Sequence, residues 1–196
     1  DSSYAAAQWY LDIAQGRRDP ELLAEAVRGL QSIVESGAYD EDALVDGYLA
    51  SAEISGLPME LQAFVAYHQG LRDARLLQKR WSKDNFAAIN NASAYRADAK
   101  YVDAVQSVAK RHIDTALTKL EELEKVTPIR PELLTRVRRS VARLHSAKKN
   151  HSDALKRYEL LRQEAPGDPE LLLEMAWVHY ERGDIRRALG LLLALD

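Results

Sequence analysis

The sequence predicts an all-α protein built from repeated helix pairs, and three observations predict it. Apolar residues recur at helical spacing, and nowhere do they alternate as they would in a strand. The phrase Pro-x-x-Pro-Glu-Leu-Leu occurs at residues 128–134 and again at 166–172, 38 residues later. The 196 residues are 46% hydrophobic and 29% charged with only 9 Gly and 6 Pro, the composition of a folded, helix-rich chain rather than a disordered one.

The clearest elements lie near the carboxy terminus. Each Pro-Glu-Leu-Leu reads as a helix start, because proline fits the first helical turn and Glu just after it suits the positive end of the helix dipole. From Pro169, Leu172, Met175, Ala176 and His179 follow at helical spacing until Gly183-Asp184 breaks the run. Ile185, Ala188, Leu189, Leu192 and Leu195 form the next stripe, so the two helices make a pair. The preceding pair keeps the same beat. Val141, Ala142 and His145 lie 34 residues before Met175, Ala176 and His179, and Ala154-Leu155 lie 34 before Ala188-Leu189. The starting phrases are four residues further apart than 34, so the earlier first helix is expected to be about one turn longer.

Upstream the beat blurs. "NNASAYRADAKYVDAV" (Asn90–Val105) carries Ala92, Tyr95, Tyr101 and Ala104 in comparable places, but Pro128 lies twelve residues after Ala116 rather than after Ala104. The reading is one long helix near 102–125. Further back, helices are expected over 3–15, 20–35, 40–55 and 58–80, punctuated by Gly16, Asp19-Pro20, Ser36-Gly37 and Gly56-Leu57-Pro58. This gives ten helices in five pairs, divided into a divergent, acidic part at 1–83 and a more regular part at 84–196.

The 34-residue period, the small residues Ala142 and Ala176, the alanines Ala154 and Ala188 and the closing Pro166 resemble the tetratricopeptide repeat, most clearly over residues 131–196. The large aromatic early in the first helix is replaced by Arg138 or Leu172, and the usual Tyr by His145 or His179. The resemblance implies a right-handed α-solenoid with two divergent amino-terminal pairs, acting as a non-enzymatic scaffold that binds a partner protein in its concave groove. Bacterial envelope proteins that export exopolysaccharide have a similar organisation, which implies the periplasm rather than the cytoplasm. The absence of Cys, which rules out disulfides, thiolate zinc sites and a cysteine nucleophile, fits that compartment.

No catalytic motif is present: there is no phosphate-cradling Gly loop, no Gly-x-Ser-x-Gly and no His-Glu-x-x-His. No cofactor or metal is expected. His145 and His179 share a register, but at a position where the family packs an aromatic between helices. Asp40, Glu41 and Asp42 read as helix-start acids. Trp9, Tyr10 and Trp81 read as packing residues or, for Trp81 beside Lys79, Arg80 and Lys83, as a surface residue. The net charge of −3 argues against nucleic-acid binding, and no apolar run is long enough for direct membrane insertion.

Charge is distributed unevenly. Residues 1–61 carry 12 acidic groups and three basic ones, whereas residues 130–157 carry nine basic groups against Glu132 and Asp153. Such asymmetry marks faces with different neighbours, or is simply helix solvation. Within the basic stretch, Arg136, Arg139 and Arg143 share one helical face at i, i+3, i+7. The resemblance puts that face toward the groove, with Leu173, Trp177 and Tyr180 corresponding in the next repeat and Ile89, Ser93 and Arg96 in the previous one. The candidate partner-binding residues are therefore Arg96, Arg136, Arg139 and Arg143 for charge, and Trp177 and Tyr180 as apolar anchors; the expected partner is an acidic or partly apolar protein segment. A groove that grips a carboxy-terminal carboxylate is not carried over, because Glu132 stands where that subtype has a lysine. The chain starts at Asp1 without Met, and a repeat's closing proline is not reached at Asp196. Both features lead to the expectation that the parent protein is longer, or that another chain covers the helix "IRRALGLLLALD"; self-association through it is the alternative function, and a ligand-binding or enzymatic α-array a further one.

Overall fold

The computed structural model describes residues 2–16, 19–36, 45–50, 52, 55–75, 85–127 and 129–195, and among these every regular element is a helix. Compactness divides the chain into two units, Asp1–Val102 and Asp103–Asp196.

The first unit begins with α1 (Ser2–Gly16) and α2 (Pro20–Glu35). Asp19 caps α2, its carboxylate accepting the Glu21 N–H at 2.9 Å, with Pro20 in the first turn. Ala7 and Leu11 of α1 meet Ala24, Val27, Leu30 and Val34 of α2 in one apolar cluster. The helices approach closely at Gly29, where an added Cβ would stand 2.3 Å from the ring of Tyr10. The short α3 (Val45–Leu49) and α4 (Met59–Arg75) follow, and Leu49, Leu61, Phe64 and Val65 extend the same cluster to Phe86 and Tyr95. The expected helix over 40–55 is thus described only as five residues. Asp40, Glu41, Asp42 and Trp81 lie outside the described residues.

The division between units falls inside α5 (Tyr95–Ala109), after the 83/84 boundary read from sequence. α6 (Ile113–Leu123) comes next, and here the expected long helix is corrected. The chain turns at Lys110-Arg111-His112, with Arg111 at φ 62°. The His112 N–H reaches the Ser107 carbonyl at 2.9 Å and the Arg111 N–H reaches Val108 at 2.8 Å. This is the helix-closing motif in which a left-handed residue ties off the last turn.

The same closure recurs in the next two hairpins. α7 (Pro131–Ala147) ends at Lys149, φ 62°, before α8 (His151–Glu164), and α9 (Pro169–Glu181) ends at Gly183, φ 86°, before α10 (Ile185–Leu192). Asn150 N–H bonds His145 O at 2.9 Å, and Asp184 N–H bonds His179 O at 2.8 Å. Three left-handed residues therefore mark three equivalent turns. They show that Ala104 belongs to the first helix of its pair and Ala116 to the second, as Ala142 with Ala154 and Ala176 with Ala188. All six alanines are buried. A methyl at each facing position lets paired helices approach, and twelve residues separate the two members every time. α7 has 17 residues and α9 has 13, so the first helix is one turn longer, as its spacing implied.

Arginine in the left-handed region costs about 1 kcal/mol that glycine does not pay. Arg111→Gly is accordingly expected to stabilise the second unit by about 1 kcal/mol in urea unfolding. Equal or lower stability would mean that this turn is not left-handed in solution.

Candidate partner-binding surface

The proline-led start of α7 fixes which face its arginines present. Leu133, Val137, Val141 and Leu144 are buried, leaving Arg136 exposed, Arg139 half-buried and Arg143 exposed on another side. Neither Arg139 nor Arg143 points its charge to an empty groove. Arg139 is ion-paired with Asp168 and, at 2.7 Å, with Glu170 of the next hairpin. Arg143 Nε lies 3.0 Å from Glu174 Oε1, and its Nη2 lies 3.3 Å from Glu170. Burial alone would push the Asp168 carboxyl up. The Leu171 N–H and the Arg139 guanidinium outweigh burial and hold it below the usual carboxylate range.

Most of the basic stretch is occupied in the same way. Lys148 pairs back to Asp114 and Lys149 forward to Glu181. Arg157 meets Glu124 at 2.6 Å, and Arg138 meets Glu164 at 2.5 Å. The neighbours that the charge asymmetry called for are thus the flanking hairpins. Two guanidinium groups, Arg139 and Arg143, face three carboxylates, Asp168, Glu170 and Glu174, a local balance of −1. Both arginines thus have carboxylate partners within the chain itself.

The register is corrected. Counting from the alanine pairs and the left-handed turns, Arg139, Arg143 and Ser146 correspond to Leu173, Trp177 and Tyr180 in α9, and to Tyr101, Val105 and Val108 in α5. Arg96 stands outside that row. It is half-buried in the first unit, and its Nη1 donates to the Phe86 carbonyl at 2.8 Å.

What α9 does expose is apolar. Leu173, Trp177 and Tyr180 are 54%, 58% and 57% exposed, and they share one helical face at i, i+4, i+7. The rings of Trp177 and Tyr180 lie 5.7 Å apart. Beside them a cavity of about 400 Å³ opens between α7, α8 and α9, lined by Arg143, Ser146, Tyr158, Leu173, Glu174 and Trp177. Buried Tyr158 closes it from α8, its hydroxyl pKa raised first by burial and then by the Glu174 charge. Sequence reasoning named Trp177 and Tyr180 as anchors and did not name Tyr158 and Glu174, which line the cavity beside them. The signal for Glu174 was its spacing of 31 residues from Arg143, the same as Glu170 from Arg139.

His145 and His179 are built into the packing. His145 Nε2 lies 3.6 Å from Glu121, and His179 is buried with Nδ1 3.6 Å from Asp184. Among the described residues no group of three His or acidic residues is placed to hold a metal ion, and no helix is long and apolar enough to cross a membrane.

Residues 146–196 match the family model of the tetratricopeptide repeat. No curated protein matches the chain by sequence. Among solved structures it is similar to MamA, at 10% identity over 98% of this chain and 91% of that one, with a TM-score of 0.55. It is also similar to PilF of Pseudomonas aeruginosa, at 14% identity over 100% and 79%, with a TM-score of 0.56. At such identities the likeness is one of fold. Residues 146–196 are thus similar to the tetratricopeptide repeat, and the described residues share the all-helical fold of these solved structures.

Proposed function

We propose that this chain is a protein-interaction scaffold that docks a partly apolar partner segment on the face where α7 and α9 lie side by side. The exposed row Leu173, Trp177 and Tyr180 carries the reading, because large apolar side chains at helical spacing beside a cavity are what a helical or extended segment can be anchored by. The tetratricopeptide fold supports the scaffold role in general. Here the arginines take a supporting part: the Arg139 and Arg143 pairs hold α9 against α7 and so preorganise the shelf, which lowers the ordering cost of binding. Arg136, exposed on α7, is a further charged member of the proposed site. A setting in a bacterial envelope export complex is drawn from the resemblance in domain organisation and from the lack of Cys.

The test is affinity capture from source-cell lysate with wild type and with Leu173→Glu/Trp177→Glu, identified by mass spectrometry. Both positions are exposed, so melting is expected to stay within about 2 °C of wild type, in line with surface changes of about ±0.5 kcal/mol. A protein lost only from the variant identifies the partner. The same proteins captured by both would place docking elsewhere.

A further inference from the structure

The face of α9 that turns away from the apolar row borders a second cavity. Met175, His179 and Arg182 follow one another at i, i+4 and i+7, two residues on from Leu173, Trp177 and Tyr180, and so lie about 200° around the helix from them. On that side a cavity of about 790 Å³ opens between α8, α9 and α10. Its size falls within the roughly 300–1,000 Å³ typical of small-molecule sites. Leu155 of α8, Met175 of α9 and Leu191 of α10 supply its apolar lining. Met175 is buried in the cluster that joins α8 to α9, and Leu155 and Leu191 are half-buried against that cluster, so helix packing fixes the walls. Gly190 of α10 also lines the cavity, and a Cβ added there would meet no atom within 4 Å. The glycine leaves room that a larger side chain would take.

Charge collects at the mouth. Lys156, Arg162, Arg182 and Arg187 line the cavity and all four are exposed, whereas the apolar residues lie deeper. Acids answer three of them: Lys156 lies 3.3 Å from Asp153, Arg162 2.9 Å from Glu159, and Arg187 3.3 Å from Asp184. Each of these pairs joins largely solvated side chains three residues apart, the kind that holds weakly. Arg182 has no ion-pair partner among the described residues. Four cations against three acids leave a balance of +1 around the opening. An apolar floor beneath a cationic mouth calls for a ligand with the complementary two halves. We propose that the cavity binds an amphiphilic anion, a carboxylate at the end of a short apolar chain. Arg182 and Arg187, on either side of the left-handed turn at Gly183, meet the carboxylate, and Leu155, Met175 and Leu191 take the chain. A guanidinium suits that head group because it offers two parallel N–H donors. A small anion alone meets only exposed, screened cations, and a cationic chain meets like charge at the mouth.

Isothermal titration calorimetry with octanoate tests this on wild type, Gly190→Leu, Arg182→Gln/Arg187→Gln and the shelf variant Leu173→Glu/Trp177→Glu. Wild type is expected to bind octanoate with a Kd of about 1 mM or tighter, and to bind acetate and octylammonium about tenfold more weakly or not at all. Gly190→Leu fills the recess and Arg182→Gln/Arg187→Gln removes the head-group contacts, so each should weaken octanoate by about tenfold. The shelf variant changes the other face of α9 and should bind octanoate as wild type does. Circular dichroism checks folding, and the exposed arginine pair serves if Gly190→Leu unfolds. A wild type that gives no binding heat with millimolar octanoate overturns the proposal. So does octylammonium binding as tightly as octanoate, since the cations then select nothing. Loss of octanoate in the shelf variant overturns it too, because the ligand then sits beside Trp177.

Discussion

Tyr158→Ala is expected to cost the second unit about 3–5 kcal/mol, the range for removing a fully buried aromatic from a core. The transition seen by circular dichroism should fall by roughly 10 °C for a chain of this length. Tyr158 is among the largest fully buried side chains, and it joins three helices: it projects from α8, sits in the cluster with Ala142 of α7, and packs against Leu171, Met175 and Val178 of α9. Because hairpins in a repeat array are stabilised mainly through their nearest-neighbour interfaces, the cavity would weaken the docking of α9–α10 rather than one helix alone. Tyr158→Phe separates volume from polarity. It keeps the ring and removes only the hydroxyl beside Glu174, so it should cost about 1 kcal/mol or less. The two variants also differ in alkali. The folded hydroxyl is held above its usual pKa, first by burial and then by Glu174. Its stabilising contribution is complete below the unfolded value of about 10 and is lost as pH rises beyond it. Tyr158→Phe should lack that part of the alkaline loss. A Tyr158→Ala protein melting within about 2 °C of wild type would mean that α8 and α9 do not meet through this residue.

The fold was legible where periodicity and punctuation agree. Pro131 and Pro169 start helices because proline fits a first turn, and Gly183 ends one because glycine accepts positive φ. At Lys110-Arg111-His112 the same turn is made with neither Gly nor Pro. Packing of Ala104 and Ala116 forces arginine into the conformation, so local propensity points to one continuous helix and tertiary structure overrides it. The alanine spacing of twelve held the information, but it is readable only once Ala104 is assigned to the first helix of its pair. The site was half legible for a similar reason. A stripe such as Arg136, Arg139 and Arg143 shows which residues share a face, while their charge partners lie on another helix at 31-residue separations that no local pattern displays. Apolar Leu173, Trp177 and Tyr180 need no partner to be recognised, and all three lie exposed.

Reversing both Arg139 and Arg143 to Glu is expected to destabilise the α7–α9 junction by about 3 kcal/mol. Arg139 supplies most of that, because its side chain is only 18% exposed and leaving its carboxylate partners unpaired is costly, whereas the half-exposed Arg143 resembles a surface pair worth about 0.5–1 kcal/mol. The substitution also changes the local balance from −1 to −5, since five carboxylates then share the site with no guanidinium. Two consequences distinguish this from loss of a docking contact. The melting temperature should fall in the absence of any partner, and part of the deficit should be restored at 1 M salt, where the screening length shrinks to about 3 Å. Acid should expose the same link. Asp168 is held below the usual carboxylate range, so its contribution is present above the unfolded value near 3.9 and fades as pH falls through the lower folded value. Without Arg139 that contribution shrinks, and the variant's disadvantage should narrow below about pH 4. Arg139→Leu/Arg143→Leu, which removes the charges without adding acids, should lie between the reversal and wild type. If the reversed protein instead melted with wild type and differed only in what it captures, the arginines would be reading a partner's charge, and the apolar shelf would no longer be the main anchor.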